Sequence, residues 1–181
     1  MREITLPADA AVLSSLQTGE QVVLSGTVYT ARDAAHKRMI EGLAEGKALP
    51  FDIENAAIYY VGPTPAHEGR PIGSAGPTTS SRMDKYTPRL LEEGLRVMIG
   101  KGRRSPEVID SIRTHGAVYF VACGGAGALL SHCIVSAEPV AYPDLLAEAV
   151  VKLTLKKFPC FVGIDSKGND IYEMDDSPDL R

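Results

Sequence analysis

Long apolar runs are missing from this chain. Its first residues, Met1-Arg2-Glu3-Ile4-Thr5-Leu6-Pro7, lack the apolar segment of an export signal, and no stretch approaches membrane-spanning length. The cytoplasm is therefore the expected compartment, with no membrane role. A basic excess is missing too: 19 Lys and Arg stand against 23 Asp and Glu, a formal net charge of −4. That balance excludes the basic face with which a nucleic-acid-binding domain meets phosphates. Cysteine is sparse. Cys123, Cys133 and Cys160 are an odd number at wide spacing, which matches no zinc pattern and gives no disulfide framework. Nor do they show the tight local spacing of iron–sulfur ligands, so no metal site is expected in this chain. Cys123 and Cys160 lie in apolar strand-like runs and are expected to be buried small hydrophobes. Internal repeats, low-complexity tracts and interdomain linkers are absent as well. What remains, 44% hydrophobic and 23% charged residues in 181, is the composition of one soluble globular domain over 1–181.

The elements that can be read alternate between strand and helix. Gln21–Thr30 is rich in β-formers and predicts a strand, with Gly26 marking a bulge or a close backbone approach. It runs into a helix-like segment whose apolar positions Ala35, Met39, Ile40 and Leu43 recur at helical spacing, with Thr30 as a possible cap. Ala56–Val61 and Ala117–Ala122 predict buried strands, Val97–Ile99 predicts a short strand, and Pro88–Glu93 predicts a short helix. Ser105-Pro106-Glu107 opens another helix and Gly116 closes it. Val135–Val140 and Val150–Leu155 read as extended. Cys160–Ile164 and Asp170–Tyr172 flank Asp165–Asn169 as an expected hairpin. This order predicts an α/β fold with a mixed sheet.

One stretch builds no core: Gly73-Ser74-Ala75-Gly76-Pro77-Thr78-Thr79-Ser80-Ser81-Arg82-Met83-Asp84. It follows a long Pro/Gly-rich loop, and loops of that length in compact domains tend to be functional. With Thr79 or Ser80 as N-cap, Ser81 would begin a helix and Asp84 would lie in its first turn. Such a loop presents hydroxyls and amides to an anion, although ordinary connecting loops favour the same residues. Gly124-Gly125-Ala126-Gly127 follows a strand, but Leu130 occupies the last small position of a dinucleotide fingerprint, so a tight turn is the better account. More telling are three cations placed after strands: Arg32, Arg82 and Lys101. Ligands of open α/β sheets bind outside the carboxyl ends of the strands, and two guanidiniums with one ammonium suit a dicarboxylate. Each alone also fits a solvated surface charge. His36, four residues after Arg32, is a possible proton shuttle or a structural histidine. The run Lys101–Arg104 reads partly as a solvated loop. His67, His115 and His132 receive no role.

These segments together resemble a known family. Ser25–Lys37 is similar to its G-T-(x)4-R-D-x-x-H segment, and Ile58–Pro63 to its strand followed by Gly-Pro. Gly76–Asp84 matches G-P-T-T-x-x-R-M, Gly100-Lys101-Gly102 matches G-K-G, and Phe158-Pro159 to Asp170 matches F-P … I-D-x-x-G-N. The family is the class I iron–sulfur-dependent hydro-lyases, class I fumarase and L-tartrate dehydratase, and the chain resembles their beta subunit, equivalent to the C-terminal domain of single-chain forms. Arg103-Arg104 replaces the Gly-Met that often follows G-K-G, and a tryptophan common in the family is missing.

The resemblance implies a swivelling β/β/α domain. It also implies a larger alpha subunit that ligates a [4Fe–4S] cluster through its own cysteines, in an expected α2β2 assembly. The cluster's open iron would act as a Lewis acid on the substrate hydroxyl. In this chain Arg32, Arg82 and Lys101 would bind the dicarboxylate, Thr78 would be the base that takes the proton from the neighbouring carbon, and His36 matches a histidine also regarded as catalytic. The Phe158 to Asp170 ending favours a fumarase, interconverting (S)-malate and fumarate. L-tartrate dehydratase, or a relative acting on a methylated dicarboxylate, is the alternative. A small-molecule binding domain without catalysis is the third reading.

Overall fold

The computed structural model describes residues 1–123 and 125–174. Five parallel strands come first: β1 (Arg2–Leu6), β2 (Gln21–Thr30), β3 (Ala57–Tyr59), β4 (Val97–Gly100) and β5 (Val118–Val121). Between them lie α1 (Ala10–Ser14), α2 (Asp33–Ala44), α3 (Thr87–Glu92) and α4 (Pro106–His115). Helix α5 (Gly127–Ser131) leads into β6 (Ile134–Ala141), and β7 (Val150–Ile164) runs antiparallel to β6, β2 and β5 before α6 (Ile171–Met174). The expected single α/β domain with a mixed sheet is what forms.

The hydrogen-bonding circuit closes on itself. Strand β2 pairs with β3, β3 with β4, β4 with β5, β5 with β7, and β7 returns to β2. Side chains alternate across it with the two-residue period of a strand. Ala57, Tyr59, Val97, Ile99, Val118 and Phe120 enter one buried cluster with Leu153, Phe158 and Val162 of β7. Their neighbours Ile58, Tyr60, Met98 and Tyr119 face the other way, against Met39 of α2, Leu90 of α3 and Ile112 of α4. Strands β3 and β4 are buried along their whole length because both faces are covered, which explains their unbroken apolar sequence.

Local chemistry accounts for several boundaries. Ser105 caps α4 by accepting from the Val108 amide at 3.3 Å, Pro106 occupies the first turn, and Gly116 ends the helix with φ 65°. Gly26 has φ 111° at a register shift between β2 and β7, and any side chain there would run into the Leu6 carbonyl. This is both the bulge and the close approach expected.

Four expectations change. Thr30 does not cap α2: its hydroxyl donates to the Ala149 carbonyl and accepts from the Val151 amide, so it ties β2 to the start of β7. Val150–Leu155 and Cys160–Ile164 are one continuous strand through Pro159, because Pro159 faces Val23 in an antiparallel register that tolerates its missing N–H. The expected hairpin after Ile164 is a turn closed by a single bridge to Asp170 and followed by α6. Asp165 gathers the amides of Thr18, Lys167 and Asn169 there, holding its carboxyl below the usual range against the opposing effect of burial. Cys160 is buried as expected, but Cys123 is exposed, since it lies just past the C-terminal end of β5.

Candidate active site

Parallel pairing brings the C-terminal ends of β2, β3 and β4 to one edge of the sheet. Arg32 lies two residues past β2, Tyr60 to Gly62 follow β3, and Lys101 follows β4. The Gly73–Asp84 stretch is fastened across this edge. The Thr78 amide donates to the Tyr60 carbonyl at 2.8 Å, and Thr79 bridges to Lys101 as in a parallel sheet. Ser80 then locks the junction twice: its amide donates to the Lys101 carbonyl at 2.9 Å, and its Oγ accepts from the Lys101 amide at 3.0 Å. Tyr119 Oη adds a third hold, donating to Ser80 Oγ at 2.8 Å. Gly100 makes this crossing possible, because a Cβ there would collide with Ser80 Oγ.

Ser80–Met83 forms one 3₁₀ turn, not the start of an α-helix, and Thr79 precedes it without a side-chain cap. The expected helix N-terminus is therefore not what meets a ligand. The turn instead carries Arg82 toward the beginning of α2, where its Nε donates to Asp33 Oδ1 at 3.0 Å. The Arg82 side chain is half exposed, and this single bond fixes the root of its guanidinium. Arg32 lies over Gly62, where a Cβ would stand 2.5 Å from Nη1 and 2.9 Å from Cδ. Its Nε reaches only 3.9 Å from Glu148 Oε1, an ion pair but not a hydrogen bond. Among the described residues Lys101 forms no ion pair and the Thr78 hydroxyl, half-buried, makes no hydrogen bond.

His36 is fully buried on the first turn of α2, between the rings of Tyr60 and Tyr86. Its Nδ1 lies 2.8 Å from the Arg32 carbonyl, which only accepts, so Nδ1 carries the proton and Nε2 is a bare acceptor. Burial lowers its pKa to about 4, so the ring is neutral at pH 7. Among the described residues, the buried side-chain atoms without a hydrogen-bond partner are Arg32 Nε, Asp33 Oδ2 and His36 Nε2. All three lie within five consecutive residues. Buried polar groups are almost always paired, so unpaired ones are places for water, an ion or a ligand.

Two residues escaped the sequence reading. Arg104 reads as part of a partly solvated loop, yet its side chain is wholly buried. It donates to Asp84 Oδ1 at 2.7 Å and to Thr87 Oγ1 at 2.9 Å, and lies over the rings of Tyr60 and Tyr119. Asp84 therefore does not cap a first turn; it ends the 3₁₀ segment and also accepts from the Ser105 amide at 2.7 Å. Asp33 was passed over as part of a helix start, although its place beside Arg32 was the available signal. Gly125–Gly127 turns as expected, and Gly127 packs against Gly76 and Ser74 rather than on the sheet; Gly124 lies outside the described residues.

The edge is open. Thr78, Arg82 and Lys101 line none of five surface cavities of about 250 to 700 Å³. No group of three or more His, Cys, Asp or Glu among the described residues is placed to hold a metal. The cysteines do not fit a cluster: Cys160 is sealed in the core, and burial raises the thiol pKa of both Cys160 and Cys133 away from the thiolate form a metal needs. No helix among the described residues is long and apolar enough to cross a membrane.

Residues 1–175 match a protein family described as Fumarase C-terminus. The aerobic class I fumarate hydratase of Escherichia coli (strain K12) is 40% identical over 166 residues, covering 91% of this chain and 30% of that one. Fumarate hydratase 2 of Leishmania major is 40% identical over 162 residues, covering 88% of this chain and 28% of that one. A putative L(+)-tartrate dehydratase subunit beta of Methanocaldococcus jannaschii is 36% identical over 167 residues, covering 89% of this chain and 86% of that one. The chain thus spans about a third of the fumarate hydratases it matches, and most of the beta subunit.

Proposed function

This chain belongs to the fumarase C-terminus family, and from that membership we propose that it is the beta subunit of a class I fumarate hydratase, dehydrating (S)-malate reversibly to fumarate. The observation that carries the reading is the gathering of Arg32, Arg82, Lys101 and Thr78 at one open sheet edge, beside three buried polar atoms with no partner. Arg82, its Nε held by Asp33, keeps its terminal nitrogens for one carboxylate as a bidentate fork. Arg32 and Lys101 take the second carboxylate, across the Thr79–Lys101 junction.

Thr78 is assigned proton abstraction from the carbon next to the departing hydroxyl, because it is half-exposed at the edge while His36 is sealed beneath it. A threonine hydroxyl ionises far above neutral pH, so this role requires the surrounding cations and amides to stabilise the developing alkoxide. The neutral His36 supports it, fixing the Arg32 carbonyl through Nδ1 and offering Nε2 as a proton acceptor within the buried shell. Since the cysteines here do not fit a cluster, the [4Fe–4S] group is placed on a separate, larger alpha subunit, expected as α2β2. The steps assigned above are those of this chain's own residues.

Anaerobic co-expression with the larger cysteine-bearing chain should yield a complex that dehydrates (S)-malate, while this chain alone should not. A complex without malate turnover would refute the fumarase reading. The high coverage of the M. jannaschii protein favours a second reading, an L-tartrate dehydratase beta subunit. The two differ by one substrate hydroxyl, which a few polar contacts discriminate. Turnover of tartrate in preference to malate decides for the second.

A further inference from the structure

A cavity of about 440 Å³ lies beside the open edge, lined by residues of three segments that include Pro63, Pro65, Ile72, Pro139, Leu146 and Val151. No charged side chain lines it, in contrast to the cationic edge it adjoins. The two are continuous: Pro63 and Thr64 follow Gly62, and Ala147 contributes the carbonyl that lies 3.3 Å from where a Gly62 Cβ would be. On its rim stands Leu146, 82% exposed, with φ 53° and ψ −116°. That is a strained backbone for a residue with a side chain.

The surroundings hold Leu146 in this position. The Pro143–Glu148 segment is clipped to α2 on both sides of it. Arg38 makes a two-pronged pair with Asp144 at 2.8 and 2.8 Å and lies over the Tyr142 ring. At the other end Glu148 accepts from the Ala34 amide at 3.3 Å and faces Arg32. A leucine raised between two polar clips, next to an uncharged groove, serves no purpose within this chain: it buries little and costs strain. A single exposed leucine is ordinary, but a strained one on the rim of an uncharged groove extends an apolar patch of the kind a partner covers.

We propose that this groove and the Leu146 knob are the docking surface for the larger chain that completes the active site. The inference rests on the function proposed above. The relatives identify the occupant, since more than two thirds of the E. coli and L. major fumarate hydratases lies outside the stretch matched here. That remainder must cover an open site whose residues are all on this edge. The apolar groove is continuous with the edge, so a segment seated in it brings its chain over Arg32 and Thr78. The fitting segment is apolar and rich in aliphatic or aromatic side chains, because a charged group entering this groove would find no counter-charge.

The test measures anaerobic assembly of the two chains by calorimetry, with malate turnover read in parallel. Leu146→Asp and Ala66→Glu, on different segments of the lining and both at exposed positions, should weaken assembly at least a hundredfold while leaving the melting of this chain alone unchanged. Val135→Asp, also exposed but outside the groove, should leave assembly as it is. Wild-type affinity in both groove variants overturns the inference and leaves the proposed function standing. If the wild-type chains do not associate at all, the function and the inference both fail. Should the isolated chain form a dimer that Leu146→Asp dissociates, with partner assembly untouched, the groove serves a second copy and the inference is again overturned.

Discussion

The Gly73–Asp84 stretch touches two polar groups built to opposite rules. At its C-terminal end Asp84, Arg104, Thr87 and Ser105 are bonded to one another: a buried cation, a carboxylate, a hydroxyl and an amide close on one another. Across the sheet edge, where Arg82 meets the start of α2, Arg32 Nε, Asp33 Oδ2 and His36 Nε2 are buried without a hydrogen-bond partner, and Arg82 and Thr78 stand open. The contrast separates an anchor from a site. A saturated polar network fixes one geometry, whereas an unsaturated one of similar composition stores binding capacity that a ligand or a partner chain must satisfy. Arg82 and Asp84 are only two residues apart, at the end of one 3₁₀ turn, so the anchor sets where Arg82 stands.

Breaking the anchor should give the largest effect on stability. Arg104→Met leaves Asp84 buried without its cation, and losing one partner of such a pair costs about 3–5 kcal/mol. Chemical denaturation of the isolated chain checks this, and a loss below 1 kcal/mol would show that the network is not an anchor. The open end predicts a pH dependence. His36 titrates near 4 in the folded chain against 6.5 when unfolded, so its contribution to stability is complete above pH 6.5 and is lost as pH falls toward 4. The slope is about 1.4 kcal/mol per pH unit, or about 3 kcal/mol across that window. Denaturation series between pH 7 and 4 should show it, and His36→Gln should flatten it. The smallest effect sharpens the comparison most. Gly62→Ala pushes chiefly against the Arg32 side chain, with the Ala147 carbonyl at 3.3 Å, so the assembled pair should lose about tenfold to a hundredfold in kcat/KM from the displaced guanidinium, with little change in melting.

Much of this was legible in advance, for local reasons. The β2 run, the bulge at Gly26, the buried β3 to β5 strands and the capped α4 each follow from a few adjacent residues whose preferences agree. The three cations after strand ends were readable because parallel topology assembles those ends at one edge. What could not be read depended on distant pairing. Strand β1 is five residues with little periodicity, and it forms because β2 offers an edge. The continuity of β7 through Pro159 depends on partners more than a hundred residues away. Arg104 looks like one more charge in a basic run, and only the arrival of Asp84 and two tyrosines from other segments makes its burial tolerable. Cys123 reads as a core residue because the apolar run of β5 extends one position past the sheet. The emptiness around Arg32, Asp33 and His36 is invisible to sequence, since no residue type signals the absence of a partner.

The central claim, that Arg82 at the open end grips the substrate while the anchor holds the loop, is tested most directly by Arg82→Ala in the anaerobically reconstituted pair. Its side chain is half exposed and makes one exposed ion pair, so assembly and melting should match the wild type. Malate turnover should fall by about a thousandfold or more, as expected on losing a guanidinium fork to a carboxylate in the transition state. A variant that assembles normally and turns over malate with unchanged kcat and KM would contradict the account.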